Sequence, residues 1–448
     1  MAGPLPSSLR RRARWLLLCA LLASCGSRHS LPSRRPQSKA DAGRFDAGRS
    51  RAEDDAAVAD AAADHDADAV HDAGSDAGRP LLPNRRGDDF LVYDPVSPNL
   101  DGSVTLAFDL PEDAVSFVLT ADPKATPRRI DLLHVLAPDG ASVFDVSGAS
   151  PQPFDPGVAS SVNDALPYSV MFPSSPETPF ATGHYQVVLG IAAAPAGSDD
   201  ALALELVWKR APSPLTSGGL GLVLWFVQGA MLDAASAQSE PTLQAALSKM
   251  RDIYKGIGID LSSIDYRDLT GAQVAKLSSV HDDGEFAELL TLLQPEAPTT
   301  PVVNLVFVDD LEVAPGQGQR GKSSGLPGPA LADGSPRRGG VVLAISTLPA
   351  SSQLLGELLA HETGHYLGLR HTSEYDGIRH DPIADTPECP AARATKVTSD
   401  GVHVLTAEDC ADLDGYNLLF YTPPQGFSTQ EALTPGQAFV LLRNPLVR

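Results

Sequence analysis

The chain has 448 residues and a formal net charge of −22, a length that allows two to three domains at about 150 residues each. An acidic surface of that strength repels phosphate backbones and sets nucleic acid aside as a partner. Charged residues make up only 20% of the chain, while Gly and Pro contribute 38 each; this excludes a coiled coil and indicates a loop-rich globular protein with flexible parts.

The first segment reads as an address. Arg10, Arg11, Arg12 and Arg14 precede a short apolar run at 15–22, too short for a membrane-spanning helix of about 20 residues but suited to an export signal. It ends Leu22-Ala23-Ser24-Cys25-Gly26, which resembles a bacterial lipoprotein lipobox. The resemblance implies lipidation of Cys25, with the acyl chains holding the mature chain to a membrane. Gly26 after the cysteine implies outer-membrane or cell-surface sorting; an ordinary cleaved signal would make the protein secreted. Residues 26–88 then repeat Asp-Ala-Gly at 41–43, 46–48, 72–74 and 76–78. So few large apolar residues bury too little surface to offset chain entropy, and a disordered tether is expected.

Residues 89–212 carry short apolar runs at 104–108, 116–120, 129–136, 185–190 and 202–208, punctuated by Asn, Asp, Gly and Pro. Regular short strands with such turns predict a β-sandwich, and no catalytic constellation stands out in it. From 213 to 448 strands and helices alternate. Strands are expected at 222–227, 257–266, 302–308 and 341–345, and helices at 240–255, 286–293 and 351–368, with a Gly/Pro-rich loop over 315–336. The pattern describes an α/β domain around one sheet.

The last of those helices carries His361-Glu362-Thr363-Gly364-His365-Tyr366-Leu367-Gly368-Leu369-Arg370-His371, the complete HExxHxxGxxH spacing. Histidines four apart share one helical face. Gly368 lets the chain leave the helix through a left-handed turn, so that His371 can return as third ligand. Three protein ligands leave a fourth position for water, the arrangement of a catalytic zinc. Glu362 is placed to take a proton from that water and pass it to a leaving amine.

The motif resembles that of the metzincin zinc metallopeptidases. Asp381-Pro-Ile-Ala-Asp385-Thr386-Pro387, Asn417-Leu-Leu419-Phe-Tyr421 and 433–437 are similar to the corresponding segments of the pappalysin/cytophagalysin branch. The resemblance covers roughly 300–448. It implies a zincin-like α+β or α/β domain with a mixed sheet and active-site helix, a Zn2+ cofactor on His361, His365 and His371, and endopeptidase activity on protein or peptide substrates. Tyr421 would hydrogen-bond the reaction's oxyanion, or touch the metal when the site is empty of substrate. An edge strand of the sheet would bind substrate as an added strand, and Val341 to Ile345 is the candidate. The chain departs from the family at Leu419, where a methionine is usual; Leu and Met have similar volumes, and the thioether is not a ligand.

Cys389 and Cys410 are the pair left to the folded body, and in an oxidising compartment they predict a disulfide. Glu374, Asp376, Asp381, Asp385, Asp409, Asp412 and Asp414 cluster in sequence after the motif. Such oxygen-rich loops bind Ca2+ in some proteins and are simply solvated in others; there is no EF-hand spacing, although the branch includes calcium binders. The alternative to a peptidase is a cell-surface binding protein built on an inactive metallopeptidase-like scaffold.

Overall fold

The computed structural model describes residues 81–124, 126–146, 163–193, 201–212, 214–293, 301–314, 317–332, 338–347, 351–398, 401–424 and 429–448. The expected signal at 1–25, Cys25 and the tether up to residue 80 lie outside the described residues. The tether was expected to run to 88, but order starts earlier. β1 (Arg85–Arg86) pairs antiparallel with β2 (Phe90–Val96), Arg85 opposite Val92 and Arg86 opposite Leu91. Two exposed arginines give no apolar signal; only their backbone joins the sheet.

β3 (Ser103–Leu110), β4 (Ala114–Asp122), β5 (Ile130–Leu136), β6 (Ser142–Asp145), β7 (Tyr168–Phe172), β8 (Gly183–Ile191) and β9 (Leu202–Arg210) complete two antiparallel sheets, ordered β1-β2-β9-β4-β7 and β3-β8-β5-β6. β3 and β8 alternate buried and more exposed residues, as strands with one wet face do. Their inward Phe108 and Tyr185 both meet Phe117 of the other sheet edge-on within one aromatic core, with Phe108–Phe117 centroids 5.2 Å apart and Phe117–Tyr185 5.4 Å. β4 and β7 are instead buried almost throughout. The reason is a second covered face: Val118 and Met171 belong to the core of the following α/β region.

That region runs β10 (Gly218–Val227), α1 (Pro241–Lys255), β11 (Ile259–Leu269), β12 (Ser279–Val280), α2 (Asp283–Thr291), β13 (Val303–Val308), β14 (Asp310–Ala314), β15 (Gln317–Gln319), β16 (Gly321–Ser323), β17 (Val341–Ala344), α3 (Ser352–Tyr366), β18 (Lys396–Val397), β19 (His403–Val404) and α4 (Pro435–Arg443). Its main sheet is ordered β11-β10-β13-β17-β16. The first four strands are parallel, and β16 pairs antiparallel to β17 at the edge. The fold is therefore mixed α/β with several sheets. Alternate residues of the central strands face opposite layers. Leu222, Leu224, Leu305 and Leu343 pack with Leu243 and Leu247 of α1 and Leu355 and Leu359 of α3. Val223, Trp225, Val306 and Val342 pack with Phe286, Leu289 and Leu290 of α2.

Two sequence expectations fail here. The stretch 315–336 is not all loop, since it holds β16 and part of the small sheet β12-β14-β15; strands of three residues containing glycine carry no periodic signal. Val341 to Ile345 is not an edge strand, because β17 lies between β13 and β16. Its uninterrupted apolar run is that of a strand buried on both faces.

The segment after α4 is clamped between the sandwich and the main sheet. Arg448 exchanges backbone hydrogen bonds with Gly219, and the buried Lys209 of β9 donates its ammonium to the carbonyls of Leu442 and Val447. Ser116 of β4 donates to the Arg443 carbonyl. Burial pushes the Lys209 amine down to about 8 from an ordinary 10.5. An amine depressed on folding binds its proton more weakly in the native state, so stability should climb from pH 8 towards 10.5 as the unfolded amine alone stays charged. Lys209→Met should abolish that rise and, by leaving two buried carbonyls without donors, cost about 2 kcal/mol at pH 7 in urea titrations. Parallel pH–stability curves for the variant and the parent would refute it.

Candidate metal centre

α3 starts on Ser351, whose hydroxyl accepts from the Leu354 amide at 3.3 Å. It stops through a paired turn: Leu369 N–H bonds the Gly364 carbonyl and Gly368 N–H bonds the His365 carbonyl, both at 2.9 Å. Gly368 sits at φ +110, the left-handed residue such a stop demands. The turn reverses the chain and brings His371 back to the helix. His361, His365 and His371 then offer one ligand atom each, all within 4.8 Å of one another.

The orientation of each ring is set from behind. His361 Nδ1 lies 2.6 Å from the Leu418 carbonyl, His365 Nδ1 lies 2.8 Å from the Leu369 carbonyl, and His371 Nδ1 lies 3.3 Å from the Glu374 carboxylate. All three partners are acceptors, so the protons belong on Nδ1 and each Nε2 carries a bare lone pair. His361 Nε2 is buried with no hydrogen-bond partner, and His365 Nε2 and His371 Nε2 face each other at 3.2 Å. Two lone pairs that close repel unless a cation lies between them. Nitrogens about 2.0–2.1 Å from a tetrahedral zinc are about 3.3 Å apart, so this donor set fits such an ion. Burial, with His371 adding to it, holds His361 down to about 3, and burial with both neighbouring rings holds His365 well below its ordinary value. His361 and His365 are thereby kept in the neutral form that coordinates metal.

The support continues outward. Leu419 is fully buried, and its Cδ2 stands 3.4 Å from where a side chain on Gly364 would begin, directly against the metal helix. It fills the space expected of it by shape alone. Asn417 and Gln437 exchange side-chain amide bonds at 2.9 and 3.1 Å, fixing the Leu418 carbonyl's turn to the first turn of α4. Asn444 donates to the Leu367 carbonyl at 3.1 Å and lies 3.9 Å from Met171 of the sandwich, tying the end of α3 to both.

Glu362 is fully buried on α3, against β16. Tyr421 is placed otherwise than expected: its hydroxyl donates to the Leu405 carbonyl, although its ring is 6.4 Å from that of His371. It joins a small core with Cys389, Cys410, Leu405 and Phe420. The expected disulfide is formed there, with Cα atoms 5.7 Å apart. The acidic residues have protein partners of their own, while one carboxylate oxygen each of Asp381 and Asp414 is buried without one. Asp385 caps α4 at the Gly436 amide at 2.8 Å, Asp381 accepts from Thr386, Asp414 accepts from Ser373, and Asp409 accepts from Thr395 and Thr406. Asp412 pairs with Arg393. Among the described residues, no group made of acids alone is arranged to hold an ion. Glu374 was read only as one of that cluster; its signal as a partner of His371 is its place three residues further on.

No protein-family model matches the chain, and no curated protein matches it. Among solved structures it is similar to metalloproteinase-II from Bacteroides fragilis, with 14% identity over 41% of this chain and 59% of that one, at a TM-score of 0.25. A xylanase10C from Cellvibrio japonicus gives 10% identity over 35% of this chain and 31% of that one, at 0.16. Overlaps this loose carry no functional weight, and the reading below rests on the site's geometry.

Removing the carboxylate behind His371 should loosen that ring without touching the other two. Glu374→Ala is expected to weaken divalent-metal binding about 10–100-fold, read by zinc competition against a chromophoric chelator. An unchanged affinity would show that Glu374 does not orient the ligand.

Proposed function

We propose that the chain is a zinc-dependent endopeptidase, with a metzincin-like catalytic region at 213–448 preceded by the sandwich at 89–212. The observation that carries this is the convergence of three bare Nε2 atoms beside the carboxylate-bearing Glu362. Zinc held by His361, His365 and His371 would supply Lewis acidity to a substrate carbonyl and lower the pKa of water. Glu362 accepts the proton of the attacking water and returns it to the departing amine as the peptide bond breaks. Its burial keeps bulk solvent away from that transfer.

Substrate recognition falls to β16 rather than to Val341–Ile345, because β16 is the main sheet's edge and lies beside Glu362. An extended peptide pairing with that edge would be held by main-chain hydrogen bonds. The alternative, a cell-surface binding protein, would have to bind through the exposed surface of the sandwich. The exposed large apolar side chains of the described sandwich are Leu82, Leu100 and Val146, with no aromatic platform among them. Export, acylation of Cys25 and a cell-surface or secreted location remain part of the proposal, resting on the first 26 residues. No helix among the described residues is long and apolar enough to cross a membrane.

Glu362→Gln should keep one zinc per chain and lose activity on a peptide library by about 10²–10⁴-fold; a chelator should silence the parent and added zinc restore it. Full zinc occupancy with no hydrolysis by the parent would favour a binding protein. Tyr421→Phe tests the phenol separately. Losing the bond to Leu405 should cost about 1 kcal/mol of stability and leave kcat within about threefold, a loss far below the hundredfold or more that a transition-state oxyanion donor supplies. A large fall in kcat at unchanged Tm would return Tyr421 to the chemistry.

A further inference from the structure

The edge strand β16 meets the metal helix at one point of contact closer than any side chain permits. A Cβ built on Gly321 would stand 2.6 Å from Glu362 Cγ, 2.9 Å from its Cδ and 2.9 Å from Oε1. The obstruction is spatial, because Gly321 is not among the residues with a left-handed φ. Neither side has room to retreat. Gly321 is held in register opposite Leu343, which is itself fully buried. Glu362 is fully buried too, and the contact falls on its Cγ and Cδ rather than on a mobile tip alone.

We propose that Gly321 is a positioning residue for Glu362: the side chain missing from the strand is the space in which the carboxylate is held. The catalytic consequence rests on the peptidase reading above. A methyl group at 321 would drive the Glu362 carboxylate out of its place while leaving the three imidazoles alone, since their anchors are the carbonyls of Leu418 and Leu369 and the carboxylate of Glu374. Displacing a reacting group by about 1 Å costs about 100-fold in rate. The same space explains why β16 carries glycine at this position.

The test is a set of variants of the full chain. Gly321→Ala is compared with the parent for zinc content, for kcat and KM on a peptide substrate, and for Tm; its Tm penalty is then measured again in a Glu362→Ala background. The expected result is full zinc, kcat lower by about 100-fold with KM little changed, and a Tm penalty that vanishes once Glu362 is truncated, because only groups in contact are non-additive. The proposal is overturned if Gly321→Ala turns over like the parent, if zinc is lost together with activity, or if its Tm penalty is the same in both backgrounds. A parent chain that binds zinc and hydrolyses nothing would sink the peptidase reading, while the Tm comparison still decides whether Gly321 holds Glu362.

Discussion

Three hydrogen bonds made by the far side of the imidazoles govern this site. An imidazole has two nitrogens, and whichever one holds the proton leaves the other as a donor of electrons. With Nδ1 of His361, His365 and His371 each committed to an oxygen, every Nε2 is turned inward and unprotonated. Burial then disfavours charging of the His361 and His365 rings. Nitrogens crowded in this way are unfavourable on their own account, and a divalent cation relieves the crowding.

Those three oxygens come from three separate places, which is why so much of the fold is engaged. The Leu369 carbonyl is supplied by the glycine stop of α3 itself. The Leu418 carbonyl comes from a turn held by the Asn417–Gln437 amide pair at the head of α4. Glu374 comes from the loop that leaves the third histidine, and its neighbour Tyr375 carries the backbone that receives the Leu405 amide. The disulfide between Cys389 and Cys410 and the small core around Phe420 tie that loop to the turn. Burial raises the carboxyl of Asp381 to about 7 within that loop.

Much of this was legible in the sequence because it depended on local rules. The histidine spacing, the glycine at 368 and the serine cap at 351 are dictated by helix geometry, and the structure realises each of them. The disulfide followed from which cysteines remained. What was not legible depended on partners far apart in the chain. β16 is too short to have a period, so the edge of the sheet was assigned to the more apolar β17. The acids after the motif read as a possible ion site by composition, yet their partners are hydroxyls, amides, a guanidinium and, at Glu374, an imidazole. Tyr421 matches the sequence position that the resemblance points to, but the direction of its hydroxyl is decided by the Leu405 carbonyl.

The covered outer face of the first sheet has a further consequence. Val118 and Met171 lie in the same core as the metal helix, and Lys209 reaches beneath the last turn of the chain. The sandwich is thus a wall of the α/β region rather than a passenger beside it. Cleavage that freed one from the other would strip apolar surface and leave the carbonyls of Leu442 and Val447 without their buried donor. Shuffling this α/β region onto a foreign neighbour would demand that the newcomer reproduce the same lid.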